Sequence, residues 1–224
     1  MNYTLHYGQV IGYLPDLLIG AAISLEIAFL AFSGGMVIGL VGALARTHGG
    51  RFLSAMAKAY VIFFTNTPQL AQIYFIFFGL PDLGILLSPF QAVLLGMTLN
   101  AGAYLTEIQR AGLASVRRSE LEAAQTLGMS RLQQVRYVIL PHIIRMLFPP
   151  LSNQYIMVTL GTSMASVFGV EELTGRALNV NSTTFRSIEI FSLTAAIYVG
   201  MTLLASLSLT VAGHHLFRAR MKTT

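Results

Sequence analysis

Histidines and isolated polar side chains are the residues of this sequence whose types and spacing could carry chemistry. The five histidines are poorly spaced for a metal site: His6, His48 and His142 are far apart along the chain. His214 and His215 are adjacent, whereas two ligands on one helix face would be three or four residues apart. Cysteine is absent, and no serine or aspartate has a base at a catalytic spacing. We therefore predict no catalytic residue and no metal site.

The isolated polar side chains lie in apolar stretches, where an amide or a charge is costly unless it faces a cavity or a partner. Asn100 either lines a solute pathway or donates a hydrogen bond to a neighbouring helix. Glu107 follows two turns later and either lines that pathway or pairs with Arg110, three residues on. Glu26 lies at a helix interface or on the pathway, and we favour the interface.

The composition indicates a membrane protein. Hydrophobic residues make up 54% of the 224, charged residues only 10%, and the mean hydropathy is +0.67. An average soluble domain carries roughly 25% charge. A net charge of +5 does not indicate nucleic-acid binding, because the cations are dispersed through hydrophobic sequence and form no basic face.

Five stretches are long and apolar enough to cross a bilayer, which takes about 20 residues. They are approximately residues 17–45, 56–80, 89–112, 139–168 and 188–216. The fourth contains Pro149 and Pro150, so we expect it to be kinked or split there. We predict one all-α transmembrane domain over residues 1–224, too short for the twelve-helix inverted repeats of many secondary transporters.

Positive charge divides the connections into two groups, and cytoplasmic loops are the ones enriched in Lys and Arg. Twelve of the 14 cations lie near the first connection, near the third, or in the tail. These are Arg46, Arg51, Lys58, Arg110, Arg117, Arg118, Arg131, Arg136, Arg145, Arg218, Arg220 and Lys222. We predict an outside N-terminus and a cytoplasmic C-terminus, as an odd number of spans requires. Residues 1–16 contain no Lys or Arg, so we expect the first helix to be retained.

The third connection, residues 115–138, has internal structure. Ser119 and Glu122 have the spacing of a capping box, and Gly128 is suited to the left-handed residue after a helix. Ser130 and Gln133 repeat the box. We predict two short helices along the cytoplasmic face, the second interrupted at a proline at the bilayer surface. Periodicity alone fits a plain amphipathic connector equally well, whereas DNA recognition is excluded by the membrane setting.

This connection resembles the cytoplasmic signature of the ABC importer permeases. That signature has Glu-Ala-Ala, a glycine four positions later, and an Ile-x-Leu-Pro close, with Val in place of the first Ile here. The matching residues are Glu122, Ala123, Ala124, Gly128, Val138, Ile139, Leu140 and Pro141. The surrounding sequence is similar to the polar-amino-acid branch, which includes histidine, glutamine, arginine and opine permeases. The resemblance covers nearly the whole chain, including the stretch from Thr67 to Pro81.

The resemblance implies the type I importer permease fold and a function. The chain would be the permease subunit of an importer in the bacterial cytoplasmic membrane, moving a polar amino acid or a derivative by alternating access. Two ATP-binding subunits, a second permease subunit and an external solute-binding protein would be its partners. ATP and Mg²⁺ would bind the ATPase subunits, because no GxxxxGK[ST] loop occurs here.

The resemblance also implies roles for particular residues. The coupling residues, which would receive motion from the ATPase subunit, are Glu122, Ala123, Ala124 and Gly128. The candidates for the solute pathway are Thr67, Gln69, Asn100, Glu107, Asn153, Thr162 and Ser163.

Two departures bear on the solute. Relatives commonly have Arg-Gly where this chain has Thr65 and Asn66, and Lys-Asp where it has Leu160 and Gly161. Loss of the acid at Gly161 argues against binding of arginine or lysine through that contact. Because little charge is left to hold a zwitterion in a homodimer, we favour a heterodimer whose other permease subunit keeps these residues.

Two other classes of protein compete with this reading. A channel or ion-coupled carrier would work without nucleotide, but it would need a charged relay at mid-membrane, for which only Glu26 and Glu107 are available. A membrane-embedded enzyme would need a catalytic group of residues that the spacing does not provide.

Overall fold

The computed structural model describes residues 4–218, except for the side chains of Ala212 and of residues 214–218. Regular structure in this range is helical throughout. The α-helices are α1 (Leu14–His48), α2 (Arg51–Thr65), α3 (Gln69–Tyr74), α4 (Pro89–Ala114), α5 (Arg118–Thr126), α6 (Arg131–Gln134), α7 (Leu140–Gly161), α8 (Leu173–Thr184) and α9 (Ser187–Arg218). Two tail cations of the predicted cytoplasmic face, Arg220 and Lys222, lie outside the described residues.

Two helical stretches among the described residues are long and apolar enough to cross a membrane alone, Tyr7–His48 and Ser187–Val211. Two bent pairs also qualify if each crosses as one span. Arg51–Thr65 and Gln69–Leu83 meet at 106°, and Arg131–Phe168 and Leu173–Thr184 meet at 46°. The structure thus gives two to four spans. A count of five would require α4 to cross the membrane as well, and it stays a prediction.

The core is built on the packing of α1 against α4, the most extensive helix pair of the described chain. Small residues at Gly35 and Gly39 let the two backbones approach. A Cβ atom on Gly39 would lie 2.8 Å from the Leu105 Cβ and 2.9 Å from its carbonyl carbon. The buried residues Ile27 and Met97 belong to the cluster formed along this contact. α4 is therefore the central helix, which explains why it is less apolar than a lipid-facing span.

Two π-helical segments, Phe75–Gly79 and Val135–Ile139, each end two residues before a proline, Pro81 or Pro141. Proline offers no N–H to the residue four before it, and a wider turn accommodates that loss. The predicted interruption at Pro141 is wrong, because α6, the π segment and α7 follow one another without a break.

Of the two alternatives for the fourth span, the split at Pro149 and Pro150 is also wrong, and the kink there stays a prediction. Both prolines lie inside α7, which runs unbroken to Gly161. The span then continues as a 3-10 helix, Thr162–Phe168, and stops at Gly169, which has a φ of 80°. The change from α-helix to 3-10 helix therefore falls after the prolines, at Gly161 and Thr162. Both residues have a low intrinsic α-helix propensity.

The two short helices of the third connection form largely as predicted. Gly128 has a φ of 71°, and the Met129 and Gly128 amides donate to the carbonyls of Ala124 and Gln125 at 3.1 and 2.9 Å. This is the Schellman arrangement that glycine favours. The capping box of Ser130 and Gln133 is present with both of its hydrogen bonds.

The predicted capping box of Ser119 and Glu122 is wrong. α5 begins at Arg118, after an N-cap residue, Arg117, that makes no side-chain cap hydrogen bond. Ser119 is therefore already inside the helix and cannot cap it. The Glu122 carboxylate instead accepts a hydrogen bond from Arg118 Nε at 3.1 Å.

The fourth connection contains α8, a helix that the sequence reading did not predict. Its N-cap residue, Glu172, is fully buried and accepts from the Gly175 amide at 2.9 Å. The same carboxylate accepts from Ser24 of α1 at 2.9 Å and from Tyr198 of α9 at 3.0 Å. The buried Glu172 carboxylate thus joins three helices by accepting a hydrogen bond from each of them, as a buried polar group requires.

A substitution at Gly39 tests the close contact of α1 and α4. Gly39→Ala should destabilise the chain by about 1–3 kcal/mol, because the new methyl group meets backbone that cannot move aside. The matched control is Gly200→Ala on α9, where an added Cβ meets nothing within 4 Å. Thermal denaturation of the purified protein compares them; equal midpoints for the two variants would contradict the packing described.

Candidate functional site

A cavity of about 550 Å³, the central cavity, lies where α3 begins, between α4 and the end of α7. This volume is within the range of small-molecule sites. Its walls combine amide, hydroxyl and apolar groups. They are Thr67, Pro68, Gln69, Asn100, Tyr104, Gln154, Met157, Val158, Leu160, Gly161 and Met164. No acidic or basic side chain is among these lining residues.

Three polar side chains of the cavity wall have no hydrogen bond to another described residue: Gln69, Gln154 and Tyr104. Two amides and a phenol are thus available as both donors and acceptors. Tyr104 lies one turn after Asn100 on the same face of α4. A polar solute entering the cavity would find hydrogen-bonding partners without breaking any existing bond.

The break between α2 and α3 delivers Thr67, Pro68 and Gln69 to this cavity. Pro68 has no N–H, so the Phe64 carbonyl four residues earlier loses its helical partner. Two amides replace it: Gln72 Nε2 lies 3.0 Å and Asn100 Nδ2 3.1 Å from the Phe64 oxygen. The reading of Asn100 as a donor to neighbouring helices is therefore confirmed. Asn100 also lines the central cavity, and its place on a solute pathway stays a prediction.

Side chains cap the other carbonyls of the last turn of α2. Thr65, Asn66 and Thr67 donate to the carbonyls of the residues four before them, at 2.7, 2.8 and 2.8 Å. Thr65 and Asn66 form one of the two pairs for which the family resemblance implies a departure from the common residues. Their neutral side chains close the end of α2 and do not line the central cavity.

Glu107 lies outside the central cavity. It borders a separate cavity of about 410 Å³ between α4 and α7, together with Arg110. Its carboxylate is held by two arginines, with Arg46 Nη1 at 2.7 Å and Arg110 Nη2 at 2.7 Å. Pairing with Arg110 is therefore present, and a second ion pair from α1 adds to it.

The remaining pathway candidates do not line the central cavity. Thr162 is fully buried and its hydroxyl donates to the Thr159 carbonyl at 2.7 Å. Ser163 is half-buried and donates to the Leu160 carbonyl at 2.9 Å. Asn153 is exposed on α7. The cavity wall instead contains Gln154 and Tyr104, which the sequence did not predict. Gln154 directly follows the candidate Asn153, and Tyr104 lies one helical turn after the candidate Asn100.

Glu26 is exposed on α1 and makes no hydrogen bond or ion pair with another described residue. It does not line the central cavity either. The favoured role, pairing at a helix interface, is not seen among the described residues, and a place on the solute pathway stays a prediction.

The coupling residues lie on the surface formed by α5 and the turn after it. Glu122, Ala123 and Gly128 are exposed, whereas Ala124 is 3% exposed and anchors the helix. The apolar side chains of Leu127 and Leu132 nearby are 77% and 78% exposed.

Acidic and histidine side chains do not gather into a metal site anywhere among residues 4–211 and 213.

A model of one protein family matches residues 35–222, that of the binding-protein-dependent transport system inner membrane component. The chain belongs to this family. The glutamine transport system permease protein GlnP of Escherichia coli strain K12 is 40% identical over 86% of this chain and 89% of its own length. The nopaline transport system permease protein NocM of Agrobacterium fabrum is 33% identical over 88% and 86%.

A solved structure supports the same assignment. The crystal structure of an amino acid ABC transporter with histidines contains a chain with a TM-score of 0.87 and 32% identity, covering 95% of this chain and 100% of that one. The MetNI methionine ABC transporter shares the fold, with a TM-score of 0.74 at 20% identity. The predicted family and function, an inner-membrane permease subunit of an amino-acid ABC importer, are confirmed.

The ion-pair cluster of Glu107 yields a test. Arg46→Gln should lower the melting temperature of the purified subunit, because Glu107 keeps only one of its two arginine partners, and Glu107→Gln should lower it further, because both arginines lose their carboxylate. The double variant should be more stable than Glu107→Gln, since the charge of Arg46 no longer lacks a partner. Thermal denaturation measures this. Transport lost in Glu107→Gln at unchanged stability would instead assign the carboxylate to the solute pathway.

Proposed function

We propose that this chain forms the solute pathway of the importer by alternating access, with its central cavity as the passage. Motion would enter through the coupling residues, driven by two ATP-binding subunits that carry ATP and Mg²⁺. An extracytoplasmic solute-binding protein would deliver the solute. The proposal depends on a cavity whose amide and phenol groups make no hydrogen bond to another described residue. This cavity is connected through α4 and α7 to an exposed segment, α5 and the following residues through Leu132, which we call the coupling segment.

The cavity lining supports a polar, uncharged side chain on the solute. Gln69, Gln154 and Tyr104 offer donors and acceptors, and no ionic group stands among the lining residues. Transfer of a charged solute side chain from water into this cavity would be costly, because no lining residue supplies a counter-ion. The names of the relatives, glutamine and opine permeases, agree with a polar amino acid or a derivative of one.

The second permease subunit is proposed to be a different chain, making a heterodimer. This cavity holds no charge for the ammonium or carboxylate of an amino acid, so a partner with ionic groups would complete recognition. Three lining side chains, Tyr104, Met157 and Leu160, are 41%, 57% and 42% exposed and are available to be covered by such a partner.

The coupling segment is proposed to dock in a groove of an ATPase subunit. The exposed leucines Leu127 and Leu132 supply apolar contact, and the arginine-paired carboxylate of Glu122 supplies a polar rim. Such a centre and rim are usual for protein interfaces. A cytoplasmic position of this segment agrees with the arginine-rich third connection and with five spans from an outside N-terminus.

Reconstitution tests the proposed function. The chain is placed in proteoliposomes with its ATPase, permease and binding-protein partners, and uptake of labelled L-glutamine is measured with and without ATP. We expect uptake only with ATP, and ATP hydrolysis stimulated by the loaded binding protein. Uptake driven by an ion gradient alone would favour the alternative, an ion-coupled carrier.

Gly128 tests the coupling assignment. Gly128→Val should abolish ATP-driven uptake or release the ATPase subunits, because a β-branched side chain is strained at a φ of 71° and obstructs the docked turn. The chain should still insert in the membrane. Uptake and co-purification of the ATPase measure the effect.

The matched control is Gly84→Val. Gly84 has a φ of 78°, and nothing lies within 4 Å of an added Cβ at either glycine. Both substitutions therefore impose a similar backbone strain, at different connections of the chain. If Gly128→Val transports as well as Gly84→Val, the coupling assignment is overturned.

A further inference from the structure

The function proposed so far gives no role to the buried amide of Gln72, and it uses the buried amide of Asn100 only as part of the cavity wall. Gln72 is 6% and Asn100 8% exposed, and Asn100 Nδ2 donates to Gln72 Oε1 at 3.0 Å. We propose that this pair, the amide clasp, is a positioning device that fixes the turn of Thr67, Pro68 and Gln69 in the cavity wall and thereby sets solute affinity. The inference rests on the proposed function of the central cavity.

The clasp joins both arms of the broken helix to α4. Asn100 lies on α4 and donates to the Phe64 carbonyl at the end of α2 as well as to Gln72 on α3. The two protons of its Nδ2 are thus shared between the two arms. Because one planar amide makes both bonds, the angle between α2 and α3 cannot change without breaking one of them.

Gln72 completes the clasp from the α3 side. Its Nε2 has three acceptors, the Phe64 carbonyl at 3.0 Å, the Thr67 carbonyl at 3.1 Å and Thr67 Oγ1 at 2.7 Å. The Thr67 hydroxyl in turn donates to the Phe63 carbonyl at 2.8 Å. A continuous chain of hydrogen bonds therefore runs from α4 through Gln72 to the turn.

Each arm is also packed on α4 independently of the clasp. Tyr60 of α2 donates to the Leu99 carbonyl at 2.5 Å, and a Cβ on Gly96 would lie 2.7 Å from Ile73 of α3. Loss of the clasp should therefore leave the arms on α4 and free only the turn. Gln69 is the last residue of that turn and the first residue of α3, and its side-chain amide makes no hydrogen bond to another described residue.

The absence of cysteine from the chain makes the test direct. Gln69→Cys introduces a single thiol in the cavity wall of the complete transporter in proteoliposomes. Its rate of modification by a charged, water-soluble maleimide is followed on this subunit after gel separation, with increasing L-glutamine as the protecting solute. Gln72→Leu and Asn100→Leu are added in turn to this background.

We expect each added variant to change the labelling rate and to raise the half-protecting concentration of L-glutamine roughly tenfold, as the loss of a buried hydrogen-bonded amide implies. The matched control is Thr106→Val, which removes a buried α4 hydroxyl that bonds only the Gly102 carbonyl of its own helix. It should leave both values unchanged, since it does not touch the turn.

Two outcomes separate the clasp from the proposed function. If L-glutamine protects neither the Gln69→Cys parent nor a second parent, Met157→Cys, which keeps Gln69, Gln154 and Tyr104 in the cavity wall, the assignment of the cavity to this solute fails, while the labelling rates still report on the clasp. If protection occurs but Gln72→Leu and Asn100→Leu behave as Thr106→Val does, the clasp proposal is overturned.

A milder variant keeps the test decisive if the leucine substitutions do not accumulate in the membrane. Thr67→Val removes one bond of Gln72 and retains both amides. It should shift the half-protecting concentration in the same direction by a smaller factor. An unchanged value in Thr67→Val would overturn the proposal.

Discussion

A backbone carbonyl in a bilayer must find a donor within the protein, because no water is available to it. Pro68 removes the donor of the Phe64 carbonyl, and the arrangement of the cavity follows from how that loss is made good. Gln72 and Asn100 supply two amide protons in place of one N–H. The chain can therefore turn through 106° between α2 and α3 and bring polar side chains to the central cavity while the Phe64 carbonyl keeps its donors.

Close packing around α4 makes this arrangement possible. Gly35 and Gly39 let α1 approach α4 on one side, and Gly96 admits Ile73 of α3 on another. A helix surrounded in this way does not meet lipid along most of its length. It can therefore carry Asn100 and Tyr104 at the cavity and the ion-paired Glu107 farther along, at a smaller cost than a lipid-facing helix would incur.

Polar groups divide the molecule into regions with different tasks. Glu172 ties α1, α8 and α9 together at one end, and Glu107 binds α1 to α4 near the other through Arg46. The coupling segment presents Leu127 and Leu132 outward. Between them lies the central cavity, with three side chains that make no hydrogen bond to another described residue. Charges thus hold helices together, and neutral groups face the central cavity.

The sequence by itself determined the apolar helical body, the Gly128 turn and the family, because these depend on local chemistry and on a contiguous signature. Tertiary structure alone decided which polar residues meet. Thr67, Gln69 and Asn100 were predicted and do share the cavity, whereas Asn153, Thr162 and Ser163 do not line it. Gln154 and Gln72 were missed, since the direction of a side chain depends on helix rotation and on a break that no periodicity records. The Ser119 box failed for a related reason: α5 starts two residues earlier than the box predicts, so its N-cap residue is Arg117.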